Sequence, residues 1–103
     1  LEQVPVSLCV DAGHLWLTGR DPQSFLDRYL HWSRVVHLHG VKDAGPQTSD
    51  HESLLHLGTE RVAQVLDLLS ARDYDGVLTL EVFGWEDFFS SRSLVAEVVN
   101  GNR

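Results

Sequence analysis

Three short strand-like segments, Val6 to Asp11, Val35 to His39 and Val77 to Val82, recur along the chain with helical patterns between and after them. The resulting β-α-β-α-β-α order has connections too long for hairpins. It therefore favours parallel strands joined by right-handed crossovers, and only α/β architectures accommodate it. Asp21-Pro22 supplies a capping acceptor followed by proline at a first helical position, after which Phe25, Leu26, Tyr29 and Leu30 form an apolar stripe. Thr59 is the expected cap of the next helix, whose Val62, Val65, Leu66 and Leu69 recur at the spacing of one buried face and which should end near Asp73, before the turn at Asp75-Gly76. In the last segment, Trp85 to Asn100, a helix is expected over the second half, with Leu94, Val95, Val98 and Val99 inward and Gly101 ending it. Gly40 to Gly58 reads as one long irregular loop, polar and histidine-bearing, and loops of that length inside compact domains are usually functional.

Alternation along a strand sorts its side chains into two faces. Val6, Leu8 and Val10 oppose Ser7, Cys9 and Asp11; Val36 and Leu38 oppose Val35, His37 and His39; Leu78, Leu80 and Val82 oppose Val77, Thr79 and Glu81. Each strand thus has one aliphatic face suited to packing under helices, and one that turns ionisable toward its C-terminal end. A doubly wound open sheet would bury aliphatic residues on both faces, so the pattern fits a closed barrel better, with Asp11, His37 and Glu81 at the C-terminal rim where barrel active sites lie. Buried unpaired carboxylates are costly, and a divalent cation would satisfy the two acids and the imidazole together. His14, three residues after Asp11, and His51, in the long loop, extend the set. Mixed histidine and carboxylate ligation suits zinc, manganese or iron and does not choose among them. His39 and Asp50 are candidates for supporting the ligands from behind, and Trp85 for lining a substrate pocket. His31 and His56 carry no expected role.

Each feature also has a bland reading. A strand-end aspartate such as Asp11 usually caps a helix or turn, a histidine such as His37 can be satisfied by the backbone, and Glu81 can pair with an arginine. The conjunction on one face of three strands lifts the metal reading above these.

The chain has 103 residues, 43% of them hydrophobic, and a formal net charge of −7, so it is one domain at most and lacks the basic footprint of a polyanion binder. Nucleic acid is therefore not an expected partner; a small-molecule substrate is. One cysteine, Cys9, excludes an internal disulfide, and neither a secretory signal nor an apolar run of transmembrane length is visible, so a reducing cytoplasmic setting without membrane partners is expected. The chain opens at Leu1 and contains no methionine, and it reads as a fragment.

At Val10-Asp11-Ala12-Gly13-His14, Val36-His37-Leu38-His39, Asp50-His51 and Leu80-Glu81 the chain resembles the xylose isomerase-like barrel superfamily, which includes the endonuclease IV type of DNA-repair enzyme. The resemblance implies that residues 1–103 are the C-terminal three βα units of a (β/α)8 barrel, strands six to eight, and that Asp11, His14, His37, His51 and Glu81 bind catalytic metal. The wording of Arg34 to Gly40 with Val77 to Phe83 resembles the cobamide-remodelling phosphodiesterases, implying metal-dependent phosphoester hydrolysis. The chain departs from the DNA-repair members at Ser49, where they carry an aspartate, and at His39-Gly40, where they carry a polar pair, which argues against abasic-site cleavage. The alternative implied by the same superfamily is a sugar or sugar-phosphate isomerase or epimerase. A third reading is a non-catalytic barrel fragment that binds a ligand or, through its open sheet edges, associates with itself.

Overall fold

The computed structural model describes residues 6–44 and 47–101, apart from the side chains of 43, 44, 47 and 48. Strands β1 (Leu8–Asp11), β2 (Ser33–Leu38) and β5 (Val77–Leu80) form a parallel sheet in the order β1-β2-β5. Helices α1 (Ala12–Leu17) and α2 (Pro22–Tyr29) connect β1 to β2, α3 (Thr59–Ala71) precedes β5, and α4 (Trp85–Val99) follows it. Neighbours in sequence are neighbours in the sheet, the arrangement of consecutive βα units in a (β/α)8 barrel. The chain is accordingly α/β.

The aliphatic face behaves as alternation requires. Val10 and Val36 are direct partners in the ladder, Val36 pairs in turn with Leu78, and Leu38 with Leu80. Onto this face α2 sets Leu26, α3 sets Val62, Val65, Leu66 and Leu69, and α4 sets Leu94 and Val98, all in one buried cluster. Asp21 caps α2 as expected, its Oδ1 accepting from the Gln23 N–H at 3.1 Å and its Oδ2 from the Ser24 hydroxyl at 2.8 Å. The other face carries Cys9, Val35, His37, Val77 and Thr79, of which Cys9 and Val77 are exposed and the others half-buried. Val77 is 59% exposed.

Four expectations are corrected. Gly40 to Gly58 is not one irregular loop: β3 (Gly40–Ala44) and β4 (Gln47–Glu52) form an antiparallel hairpin, followed by a 3-10 turn at Leu54–His56. A β-carbon at Gly40 would fall on the Ser53 carbonyl, and only glycine permits that approach. Helix α4 starts at Trp85 rather than midway, its first turn carrying Glu86 and Asp87 where the helix dipole favours acids, and its Val99 is exposed rather than inward. Gly58, at φ 86°, holds the cap position of α3, and Thr59 is the first helical residue. Strands β1 and β5 are shorter than the runs that contain them: β1 loses Val6 and Ser7 because its pairing with β2 begins at Leu8, and β5 loses Glu81 and Val82 because the chain leaves the sheet after Leu80.

Candidate metal centre at the strand ends

The register sets the rim. Asp11 pairs with His37, and His37 with Thr79. Asp11 and His37 therefore stand at one height, as alternation suggests, while Glu81 stands one pleat further along on the same face, where its N–H donates to the Leu38 carbonyl at 2.8 Å. Offset by two residues, the three side chains still converge: one ligand atom from each of Asp11, His37 and Glu81 lies within 4.8 Å of the others.

Asp11 does two things at once. It caps α1, Oδ1 accepting from the His14 N–H at 2.8 Å, and the same oxygen lies 3.0 Å from Nε2 of His39. Both contacts fall on Oδ1, which leaves Oδ2 for another partner. Glu81 lies between two imidazoles, Oε2 at 2.7 Å from His37 Nδ1 and Oε1 at 3.3 Å from His51 Nε2. Oε2 is buried, and the group that faces it is the His37 imidazole. Two carboxylates gathered on one imidazole leave negative charge in excess, and a cation held jointly by the three would offset it. The residues present thus fit a divalent metal: two carboxylates and an imidazole, a donor set suited to zinc, manganese or iron.

His51 reaches this group from the hairpin. It adopts φ 57°, and its ring lies between two others, stacked on His39 at 4.4 Å and on Phe83 at 4.9 Å. Its Nδ1 is 3.0 Å from Asp50. Desolvation pulls the His51 pKa down, but the carboxylates of Asp50 and Glu81 together outweigh it and hold the imidazole above its usual value. The hydrogen bond from His51 in turn holds Asp50 below the ordinary aspartate range. Burial pushes the Cys9 thiol up, helped by the charges of Asp11 and Glu81, so it is no ready nucleophile although its Sγ lies 3.5 Å from His37 Nε2.

Of the expected residues, Asp11, His37 and Glu81 come together and His51 joins them through Glu81. The His14 imidazole is exposed and stands outside the three-residue group. Trp85 is 77% exposed and stacks on Phe89 at 5.9 Å. Phe83 was not singled out in the sequence, although alternation from Glu81 puts it on the site face. Also unforeseen are Ser53 and Ser91, which fasten the segment after the hairpin to α4: Ser91 Oγ accepts from the Leu54 N–H at 3.0 Å, and the Ser53 and Ser90 hydroxyls meet at 2.6 Å. A cleft of about 860 Å³ opens at the other end of the strands, lined by Val35, Tyr74 and Val77 among others; none of the converging ligands lines it. No helix among the described residues is long and apolar enough to cross a membrane.

No family model and no solved structure matches the chain. Half of it is similar to a curated enzyme: over 52 residues it is 44% identical to inosose dehydratase of Lacticaseibacillus casei, and equally to that of strain BL23. The match covers 16% of the relatives' length, so the likeness concerns a small part of those proteins. It agrees with a barrel of the xylose isomerase-like type, and the enzyme it points to is not a cobamide phosphodiesterase.

Proposed function

We propose that this chain carries the metal-binding rim of an enzyme acting on a small polyhydroxylated carbonyl compound, as sugar isomerases and epimerases do and as the name of the similar dehydratase suggests. The observation that carries the reading is the convergence of Asp11, His37 and Glu81 on one point, two carboxylates to one imidazole. On this reading residues 1–103 supply strands six to eight of the barrel, and further ligands come from its other strands. Asp11, His37 and Glu81 would hold the principal cation, with His51 and His14 completing or flanking it. When bound, the cation supplies Lewis acidity that polarises a substrate carbonyl and acidifies the neighbouring C–H.

The chain's own residues would do the rest. Asp11 and Glu81 concentrate negative charge where the cation sits. Where His51 flanks the cation without ligating it, its imidazole between Asp50 and Glu81 can hold a proton and pass it to a developing alkoxide or hydroxide. Phe83, stacked on His51, offers an apolar wall that would exclude water from one side of the substrate. Phosphoester hydrolysis rests on the wording of Arg34 to Gly40 with Val77 to Phe83, whereas the similar enzyme is a dehydratase, so it forms the second arm of the test.

That test is elemental analysis of the dialysed protein with turnover assays on inosose and ketoses in one arm and phosphodiesters, including cobamides, in the other. Stoichiometric zinc, manganese or iron is expected in the wild type. In Glu81→Gln it should be lost, with carbonyl-substrate turnover falling on the order of a thousandfold. A folded wild type that takes up no metal after supplementation overturns the reading, and turnover of phosphodiesters alone transfers it to hydrolysis.

A further inference from the structure

Among the described residues His39 is the largest buried polar side chain, at 1% exposure, yet it holds no place among the converging ligands. Its two nitrogens face different elements. Nδ1 lies 3.0 Å from the backbone N–H of His51 on β4, and Nε2 lies 3.0 Å from Asp11 Oδ1 at the end of β1. An N–H directed at Nδ1 needs a lone pair there, so the proton sits on Nε2 and is donated to the Asp11 carboxylate. The Gly40 carbonyl, 3.2 Å from Nδ1, favours the opposite tautomer. That tautomer would turn the Nε2 lone pair toward a carboxylate and set two N–H groups against each other at Nδ1, so two contacts outvote one.

The fit of the ring is built into the backbone. A β-carbon at Gly13 would fall inside the His39 ring, so the glycine of Asp11-Ala12-Gly13-His14 leaves the space that His39 fills. On its other side His39 stacks against His51 at 4.4 Å with the rings 20° apart.

We propose that His39 is a positioning residue that ties the Asp11 carboxylate to the β3–β4 hairpin, so that one buried ring sets both the orientation of Asp11 and the seat of His51. The proposal rests on the reading of Asp11 as a metal-binding carboxylate. With Oδ1 engaged by the His39 ring and the α1 backbone, the Asp11 carboxylate is held against rotation beside His37 and Glu81, and neither contact occupies Oδ2. Groups that orient a ligand in this way typically change metal affinity or activity 10–100-fold when removed.

Three variants and two readouts test it. His39→Leu keeps much of the volume and removes both polar contacts; His39→Gln can restore a donor to Asp11 and an acceptor for the His51 N–H; Gly13→Ala displaces the ring without altering it. Titration with manganese or zinc should show affinity roughly 10–100-fold weaker in His39→Leu and Gly13→Ala, with most of the loss recovered in His39→Gln. In the metal-free wild type, imidazole 15N NMR should show His39 protonated at Nε2, and the His51 amide should exchange slowly, becoming fast in His39→Leu. A His39 protonated at Nδ1, a folded His39→Leu with wild-type metal affinity, or a His39→Gln no better than His39→Leu overturns the proposal. Should His39→Leu fail to fold, Gly13→Ala and His39→Gln decide it by the same measurements. A wild type that binds no metal sinks the functional reading instead, and the tautomer and the His51 amide then judge the tie by themselves.

Discussion

The two faces of the parallel sheet are built from the same three strands and behave oppositely. On one, Val10, Val36 and Leu38 disappear beneath α2, α3 and α4. On the other, Val77 and Cys9 stay exposed, while Asp11, His37 and Glu81 gather at one end. Parallel sheets are ordinarily covered on both faces, whereas a barrel covers its inner face with its own remaining strands. Side chains on the helix-covered face therefore fix the fold, and those on the open face await either substrate chemistry or further strands. The largest expected contrast lies in the core. Leu26, fully buried under the sheet, should cost about 2–5 kcal/mol on truncation to alanine, read as a lowered urea midpoint at unchanged slope. A loss under about 1 kcal/mol would mean that this face is not the one that holds the fold.

The same contrast explains what could be read from the sequence. The helix-covered face was legible because burial imposes a period: alternating Val10, Val36, Leu38 and Leu80, and the stripe Val62, Val65, Leu66 and Leu69, admit few other arrangements. Asp11, His37 and Glu81 were legible for a related reason, since ionisable groups at the ends of apolar strand runs stand out against their neighbours. Their relative heights were not, because register depends on pairing between distant segments, and the ladder sets Thr79 rather than Glu81 opposite His37. The hairpin escaped notice because β3 and β4 are polar and carry no alternation; two polar strands hold together through backbone pairing and tertiary anchoring, neither of which leaves a periodic trace. Asp11 was read both as a helix cap and as a candidate ligand, and the cap is what the geometry shows directly, its Oδ1 accepting from the His14 N–H.

Val77 makes the comparison sharper. It pairs with Val35 on the open face and is 59% exposed in this chain. Within a closed barrel the same side chain would belong to the packed interior, and Val77→Ala would cost about 2 kcal/mol in the protein that carries the chain. That loss is expected, measured by urea unfolding beside Leu26→Ala. A change within about 0.5 kcal/mol, the usual range for surface substitutions, would show that the face stays open to solvent and would remove the barrel interior from the account.

The smallest effect lies where the two faces communicate. Ser91 belongs to α4 on the covered side and is fully buried, but its hydroxyl accepts the Leu54 N–H just after the hairpin that reaches over the rim. In Ser91→Ala a buried backbone donor loses its partner, at a cost of about 1 kcal/mol or slightly more. If the fold side and the site side are separate, stability falls and nothing else changes. The contacts argue otherwise, because Ser53, next to Leu54, lies between the hairpin and α4, and loosening it frees the strand on which His51 stands. Ser91→Ala should therefore weaken metal binding severalfold at temperatures where the protein remains folded, and Ser90→Ala, which removes only the hydroxyl contact to Ser53, should weaken it less. Metal affinity unchanged in both variants would mean that His51 is seated by the His39 ring alone, with the helix layer contributing stability and no more.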